Sequence, residues 1–180
     1  MLENQSLWDT AAECHQLLDA AGISHAVMGG VAICLHGYQR NTVDLDLLVR
    51  KEDAGAIRTI LTQASFVWHA ASGEFRSRSG IPVQFLVAGD RAGSGSEVLL
   101  PDPKLPGFVT KIEGLPVLTL AKLIESKIAS GQGNLRRTHR DFADVVELIA
   151  QHRLGSAFAR SLHKSLRPTF RQLVKVATSH

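Results

Sequence analysis

Two aspartates separated by a single leucine are the residues of this chain best suited to chemistry. Asp44 and Asp46 alternate with Leu45 and Leu47. Because side chains alternate between the two faces of a strand, a strand here directs both carboxylates to one face and both leucines to the other. Mg²⁺ normally takes one or two protein carboxylates, with waters and substrate phosphates in its remaining positions. The pair therefore predicts a Mg²⁺ site.

A Gly-Gly pair precedes this acidic strand in the sequence. Gly29 and Gly30 follow a short apolar run and open a predicted helix. Glycines let backbone N–H groups approach a phosphate closely, and the positive end of the helix dipole favours an anion. A nucleoside triphosphate (NTP) carrying Mg²⁺ is therefore the predicted ligand. Arg40 and Thr42, in the loop between the glycines and the acids, are further nucleotide-binding candidates.

A lysine on a later predicted helix poses a different question. Lys127 follows Leu120 by seven residues and Leu123 by four, which places it on the apolar face. A buried ammonium must be paired or must face a site, because an isolated buried charge is too costly. Asp141, on the next predicted helix, could pair with it, or the lysine stem could pack while its head reaches water. The residues alone favour a structural role for both over a functional one.

The order Gly-Gly, then Asp-x-Asp inside an apolar strand, resembles the nucleotidyltransferase superfamily related to DNA polymerase beta. The extended stretch GGVAICLHGYQRNTVDLDLLV is most similar to the small bacterial branch near the AbiEii-type toxin nucleotidyltransferases, and the resemblance covers roughly residues 24–150. It implies an α+β fold, in which a small mixed sheet flanked by helices forms the polymerase-beta-like core. The implied domains are this core over residues 1–118 and a C-terminal helical region over residues 119–180, packed on the core.

The resemblance extends to two helices and assigns roles to their residues. LAKLIESKIASG followed by HRDFADVVELI is similar to a family motif of a lysine followed by Arg-Asp-x-x-Asp. By this resemblance Lys127 contacts the nucleotide phosphates or the transferred group, and Asp141 holds that lysine or takes part in the reaction. Arg140, with Arg136 and Arg137, binds the triphosphate or an acceptor nucleic acid. The implied activity is Mg²⁺-dependent transfer of a nucleoside monophosphate from an NTP to a hydroxyl of RNA, protein or a small molecule, in a toxin–antitoxin or defence setting with a possible antitoxin partner.

One residue departs from the family pattern. Gln84 stands on a predicted strand where these transferases usually carry a third carboxylate. An amide cannot accept the proton of an attacking hydroxyl near neutral pH. Glu74, Asp90 and His36 are candidate substitutes. The alternatives are a catalytically impaired NTP- or RNA-binding protein, or a partner-binding protein whose acids are a solvated strand face.

Composition limits the class of protein further. The chain has 180 residues, 44% of them hydrophobic, and a formal net charge of +3. Residues 131–180 hold nine Lys or Arg against three Asp or Glu. This basic block could steer RNA towards the acidic site or could be a solvated helical face, and the two interpretations have equal weight. No apolar run approaches the roughly 18–20 residues that cross a bilayer, so we expect a cytoplasmic protein without membrane contact.

Periodicity and turn residues predict the remaining elements. Residues 89–106 are rich in Gly, Ser, Pro and Asp and lack periodicity, which predicts a long irregular loop, functional or mobile, whose first part is a flexible linker or lid. Strands are predicted at 25–28 and 43–49, in a hairpin of 74–78 with 81–88, and twice within 108–118. Helices are predicted at 6–20, 30–35, 53–64, 120–130, 138–152, 156–166 and 169–177.

Overall fold

A computed structural model describes residues 5–179 of the chain. Residues 1–4, at the start of the first predicted domain, and residue 180, at the end of the second, lie outside the described residues. The helices are α1 (Gln5–Ala20), α2 (Gly29–Leu35), α3 (Ala54–Gln63), α4 (Leu120–Gly133), α5 (Leu135–His152) and α6 (Arg167–Ala177). The strands are β1 (His25–Met28), β2 (Leu45–Val49), β3 (Val67–His69), β4 (Glu74–Arg76), β5 (Pro82–Val87), β6 (Val109–Ile112) and β7 (Leu115–Leu118). The α+β class is confirmed.

The strands of the described residues join in one mixed sheet, in the order β3-β4-β5-β2-β1-β7-β6. The acidic strand β2 is central, antiparallel to β1 and parallel to β5. Leu45, Leu47 and Leu48 are at most 1% exposed, as expected for a central strand covered on both faces. The predicted hairpin of β4 with β5 and the predicted pair β6 and β7 are both present. Asp44 precedes the first paired residue, because β2 begins at Leu45 and not at residue 43.

One continuous apolar core extends from Leu7 in α1 to Val174 in α6. α4 packs along α5, α5 packs on α6, and α4 also contacts α2 and β7. The C-terminal helices therefore join the core through α4, with α5 packed on α4 and α6 packed on α5, and the proposed division at residue 118 stays a prediction. No helix of the described residues is both long and apolar enough to cross a bilayer.

Tertiary packing changes several predicted element boundaries. The predicted helix end at Gly131 is wrong, since α4 continues to Gly133. Gly131 instead lets α5 approach α4, because a Cβ there would lie 2.6 Å from Cε1 of Phe142. α5 begins at Leu135 and not at residue 138, because the Asn134 side chain accepts a hydrogen bond from the Arg136 backbone N–H.

The segment after α5 is not the predicted α-helix. It forms two short 3₁₀ turns, Ser156–Ser161 and Lys164–Leu166. α6 then begins at Arg167 with a proline in its first turn, where a missing N–H is tolerated. α3 likewise begins after a 3₁₀ turn, and Asp53 makes no capping hydrogen bond there.

Candidate active site

Asp44 and Asp46 line the same cleft, of about 370 Å³, between the sheet and the helices α4 and α5. Asp46 lies opposite Met28 of β1 and Gln84 of β5 in the sheet register. The charged residues of the cleft lining are the acids Asp44, Asp46 and Asp141 and the cations Arg91, Lys127, Arg137 and Arg140. The structure thus brings the predicted acids together with Lys127, Asp141 and Arg140.

Within residues 5–179, the two central acids have no cationic side chain bound to them. Neither Asp44 nor Asp46 forms an ion pair or hydrogen bond through its side chain with another of the described residues. Burial, and then the neighbouring charge of Asp44, raise the pKa of Asp46 from 3.8 to about 6, although Lys127 and two arginines oppose this rise. Uncompensated carboxylates that share a cleft form a site that favours a cation.

Gly29 is required by the position of the Asp46 carboxylate. Its φ is +64°, and a Cβ built on it would lie only 1.9 Å from Oδ2 of Asp46. Any side chain at this position would therefore displace the carboxylate. The Gly-Gly pair has a steric function in addition to its predicted contact with phosphate, which stays a prediction.

A side chain on Gly30 would point towards the loop before β2 and not towards Asp46. A Cβ on Gly30 would lie 2.4 Å from Oγ1 of Thr42 and 3.2 Å from Nη2 of Arg40. Thr42 is 1% exposed, and its hydroxyl has no hydrogen-bond partner among the described residues. Arg40 and Thr42 are outside the cleft lining, so their predicted contact with the nucleotide stays a prediction.

Lys127 is held by a buried charge network. Its Nζ lies 3.0 Å from Oδ1 of Asp141 and 2.8 Å from Oδ2 of Asp144. Arg40 also binds Asp144, through Nε 2.7 Å from Oδ1 and Nη2 3.1 Å from Oδ2. Two cations and two carboxylates therefore neutralise one another, and the ammonium keeps one of its three N–H donors for the cleft. The predicted pair of Lys127 with Asp141 is present, and Asp144 and Arg40 complete it.

Two arginines bring exposed positive charge from α5 to the cleft. Arg137 and Arg140 are both exposed and both belong to the lining. Nε of Arg137 lies 3.4 Å from Oδ2 of Asp141, while Arg136 lies outside the lining. These guanidinium groups are placed to bind an anion in the cleft.

Gln84 lies beside Asp46, where the family pattern places a third acid. Its Nε2 donates a hydrogen bond to Oε2 of Glu74, at 3.4 Å. Arg76 donates to the other oxygen of Glu74, from Nε at 3.1 Å and Nη2 at 2.9 Å, and holds the pKa of that carboxyl below its usual value. Glu74 therefore serves as a hydrogen-bond acceptor for its neighbours.

None of the predicted substitutes for the third acid belongs to the cleft lining. Glu74 is directed to Arg76 and Gln84, and Asp90 is exposed in the loop after β5. His36 is buried, and Nε2 of its ring lies 2.8 Å from the Leu118 carbonyl oxygen. Burial also lowers the pKa of His36. The hydrogen bonds of Glu74 and the burial of His36 therefore direct both groups away from the cleft lining, and Asp90 is exposed outside it.

Arg91 is a lining residue that the sequence pattern did not indicate. It lies in the segment of residues 89–100, which we name the cleft loop. This loop folds back on itself through two backbone hydrogen bonds of 2.8 Å, donated by Ala92 N–H to the Val98 carbonyl oxygen and by Leu100 N–H to the Asp90 carbonyl oxygen. A Cβ on Gly93 would lie 2.0 Å from a carbonyl oxygen of α4, and one on Gly133 would lie 2.5 Å from a backbone nitrogen of the loop. The predicted linker or lid is therefore packed directly on α4.

The cleft suits Mg²⁺ in the chemistry of its ligands. Two aspartates supply hard oxygen ligands, and Mg²⁺ usually takes only one or two protein carboxylates when phosphates complete its shell. No cluster of three or more His, Cys, Asp or Glu side chains with the geometry of a metal site occurs within residues 5–179. A site with two carboxylates suits a Mg²⁺ ion whose remaining ligands are waters and substrate phosphates.

Known structures identify the fold. No protein-family model matches the chain, and no curated protein matches its sequence. A Thermotoga maritima protein classed as a nucleotidyltransferase is similar at TM-score 0.57 and 19% identity, over 80% of this chain and 96% of that protein. The antibiotic-resistance factor ANT(2″)-Ia, in complex with adenylyl-2″-tobramycin, is similar at TM-score 0.59 and 16% identity, over 93% of this chain and 98% of that one.

A third similar structure comes from a fungus. An antigenic nucleotidyltransferase-like protein from Paracoccidioides brasiliensis is similar at TM-score 0.53 and 19% identity, over 93% of this chain and 91% of that protein. These likenesses extend along most of each chain at low identity. The chain therefore has the nucleotidyltransferase fold, as its Gly-Gly and Asp-x-Asp pattern predicts.

Proposed function

We propose that this protein is a Mg²⁺-dependent nucleotidyltransferase that moves a nucleoside monophosphate from an NTP to an oxygen of an acceptor. One observation carries the proposal. Asp44 and Asp46 face a cleft without cationic partners among the described residues, while Arg137 and Arg140 bring positive charge to the same cleft. A fold shared with nucleotidyltransferases supports this interpretation of the cleft.

Each group of the cleft has a role in this proposal. Asp44 and Asp46 would hold Mg²⁺, which when bound neutralises the triphosphate and stabilises charge on the attacking and leaving oxygens. Gly29 leaves room beside the backbone for the Asp46 carboxylate, and its backbone N–H would contact a phosphate. Lys127 offers its remaining N–H to the transferred phosphoryl group, and its carboxylate partners fix its position. Arg140 binds the outer phosphates.

The finer assignments also belong to the proposal. A place in the AbiEii-type branch, a toxin–antitoxin or defence role and an antitoxin partner are implied by the resemblance of residues 24–150. RNA, a protein side chain and a small molecule are the general classes of acceptor. The basic C-terminal third supports an anionic partner such as RNA, because phosphate contacts supply much of the affinity for nucleic acids.

Transfer of labelled nucleotide tests the proposal. The purified protein is incubated with Mg²⁺, each of the four α-labelled NTPs and a set of RNA, protein and small-molecule acceptors. We expect label in an acceptor with the wild type and none with Asp44→Asn, while Asp90→Asn, at an exposed position outside the cleft lining, keeps full activity. Equal transfer by the wild type and Asp44→Asn would remove the proposal.

Gln84 favours a second candidate, an NTP- or RNA-binding protein without turnover. The amide lies where a base for a hydroxyl would be needed, and the three alternative bases lie outside the cleft lining. This candidate predicts saturable binding of Mg²⁺-NTP or RNA, no product from any acceptor, and no gain of activity with Gln84→Asp. Turnover by the wild type would eliminate it.

A further inference from the structure

The chemical class of the acceptor depends on which groups of the cleft could take a proton from it. The carboxylates of the lining are Asp44, Asp46 and Asp141, and the lining contains no histidine. The first two are assigned to Mg²⁺ in the proposed function. Asp141 is fully buried, with Oδ1 3.0 Å from Nζ of Lys127. Its Oδ2 lies 3.4 Å from Nε of Arg137 and makes no hydrogen bond with the described residues, but it has almost no exposed surface through which a bound hydroxyl could reach it. No carboxylate of the lining therefore remains to accept the proton of a hydroxyl.

The residue in the position of the usual base also changes the charge of the cleft. Gln84 is neutral and gives one N–H of its amide to Glu74, which leaves a second N–H for a ligand. A carboxylate in this position would repel an anionic acceptor, whereas an amide donates a hydrogen bond to it. Because Gln84 is an amide and not a carboxylate, it cannot take a proton from a hydroxyl acceptor, but it can donate a hydrogen bond to an anionic acceptor.

Positive charge is available for such an acceptor. Lys127 and Arg140 are assigned to the triphosphate, whereas Arg91, which lines the cleft from the cleft loop after β5, is not assigned to the nucleotide in the proposed function. One of its N–H groups binds the Ser96 carbonyl oxygen, so four of the five donors of a guanidinium remain. The packing of Gly93 on α4 fixes this loop. A guanidinium on a fixed loop is suited to bidentate binding of a phosphate.

We infer that the acceptor is a phosphate monoester, whose oxygen is already ionised, in place of a hydroxyl. This inference rests on the proposed function and narrows its acceptor. A phosphate monoester has a second pKa near 6 and is mostly a dianion above neutral pH. One of its oxygens attacks the α-phosphorus of the NTP, the bond from the α-phosphorus to the bridging oxygen breaks, and pyrophosphate leaves. The product is a phosphoanhydride, and the step requires no proton transfer.

Matched acceptors test the inference directly. One oligoribonucleotide is prepared with a 5′-phosphate and a blocked 3′ end, and its twin has a 5′-hydroxyl and a free 3′-hydroxyl. Phenyl phosphate and phenol form a small-molecule pair, which distinguishes a nucleic-acid source of the phosphate from a small one. Transfer is measured with α-labelled NTP and Mg²⁺, and a phosphoanhydride product makes the acceptor phosphate resistant to phosphatase. Binding of the fluorescent oligonucleotides without NTP gives a second readout by anisotropy.

The wild type should label a phosphate-bearing acceptor and leave its hydroxyl twin unlabelled. Arg91→Gln should raise the KM for that acceptor by about tenfold or more, as expected for loss of a charge-assisted hydrogen bond, and should weaken its binding in the anisotropy assay by a similar factor. Arg171→Gln, an exposed change on α6, should alter neither value. Gln84→Asp should weaken use of the phosphate acceptor and create transfer to the hydroxyl.

The results that would refute a phosphate acceptor differ from those that would refute the nucleotidyltransferase activity. Transfer to hydroxyls as fast as to phosphates by the wild type overturns the inference and leaves a nucleotidyltransferase. Absence of transfer to every acceptor, together with equal binding of the two oligonucleotides, also overturns it. In that case the comparison of Mg²⁺-NTP binding by the wild type and Asp44→Asn decides separately whether the cleft is a nucleotide site.

Discussion

Replacing Asp46 by asparagine should stabilise the metal-free protein. Burial and the charge of Asp44 raise the pKa of Asp46 from 3.8 to about 6 in the folded protein. One pKa unit corresponds to about 1.4 kcal/mol, so the ionised carboxylate costs about 3 kcal/mol of folding free energy above pH 6. The asparagine side chain has almost the same shape and carries no charge. At pH 8 the melting temperature of Asp46→Asn should therefore rise by about 6–12 °C for a chain of this size.

The stability difference between Asp46→Asn and the wild type should depend on pH. The folded protein binds the proton of Asp46 more tightly than the unfolded chain, so the contribution of Asp46 to stability falls as the pH rises from about 4 to about 6 and is then constant. The advantage of Asp46→Asn should appear over the same interval. Urea unfolding at pH 4.5 and pH 8, after treatment with a chelator, measures both differences. Asp90→Asn, at an exposed position, should show neither.

Addition of ligand should reverse the order of the two proteins. Wild type with Mg²⁺-NTP at 1,000 times its dissociation constant gains about 4.1 kcal/mol, which exceeds the advantage of about 3 kcal/mol of the variant, whereas Asp46→Asn, which lacks a metal ligand, gains little. A variant that is equal to or less stable than the wild type at pH 8 without metal would refute the reasoning. The Asp46 carboxylate would then have a compensating partner that the described residues do not supply.

Three further substitutions test the surroundings of the acids. Gly29→Ala places a methyl group 1.9 Å from an oxygen of Asp46, and it should lower transfer activity at least about tenfold by moving a metal ligand. Lys127→Met leaves two buried carboxylates with too little positive charge, and it should destabilise the protein by about 3–5 kcal/mol in urea unfolding. Gly93→Ala collides with a carbonyl oxygen of α4 at 2.0 Å, and it should make the cleft loop more susceptible to limited proteolysis.

Gly55→Ala is the matched control for the two glycine variants. A Cβ on Gly55, in α3, meets no atom within 4 Å, so this variant should gain up to about 1 kcal/mol of stability and keep its activity. Normal transfer by Gly29→Ala would contradict the steric role of that glycine. An unchanged urea-unfolding midpoint for Lys127→Met would contradict the stabilising role of the Lys127 ion pairs. An unchanged cleavage pattern for Gly93→Ala would contradict the claim that the packing of Gly93 on α4 holds the cleft loop.

Local patterns in the sequence predict much of the fold and the centre of the site. The strand His25–Met28 has the predicted bounds, and the hairpin of β4 with β5 follows from its turn at residues 79–80. The alternation of Asp44 to Leu47 places both acids at the cleft, and helical spacing places Lys127 on the buried face of α4. These features depend on residues close to one another in the sequence, and over that range the spacing of apolar and polar residues predicts secondary structure.

The features that escaped prediction depend on contacts between distant segments. Arg40 and Asp144 are 104 residues apart in the chain, and no local pattern indicates that they form an ion pair. The contacts of Gly93 and Gly133 with the backbone, and of Gly131 with an aromatic ring, exist only once α4, α5 and the cleft loop are assembled. A glycine that permits close packing has the same sequence signature as a glycine that ends a helix or begins a loop, so tertiary structure is needed to distinguish them.

The most direct test of the central claim is a crystal structure with Mn²⁺ and a non-hydrolysable NTP. Mn²⁺ replaces Mg²⁺ at oxygen sites and is located by its anomalous scattering. We predict a Mn²⁺ peak bound to carboxylate oxygens of both Asp44 and Asp46 and to phosphate oxygens of the nucleotide, with Lys127 and Arg140 around the phosphates. A nucleotide bound elsewhere, or a metal ion that contacts neither aspartate, would contradict the account.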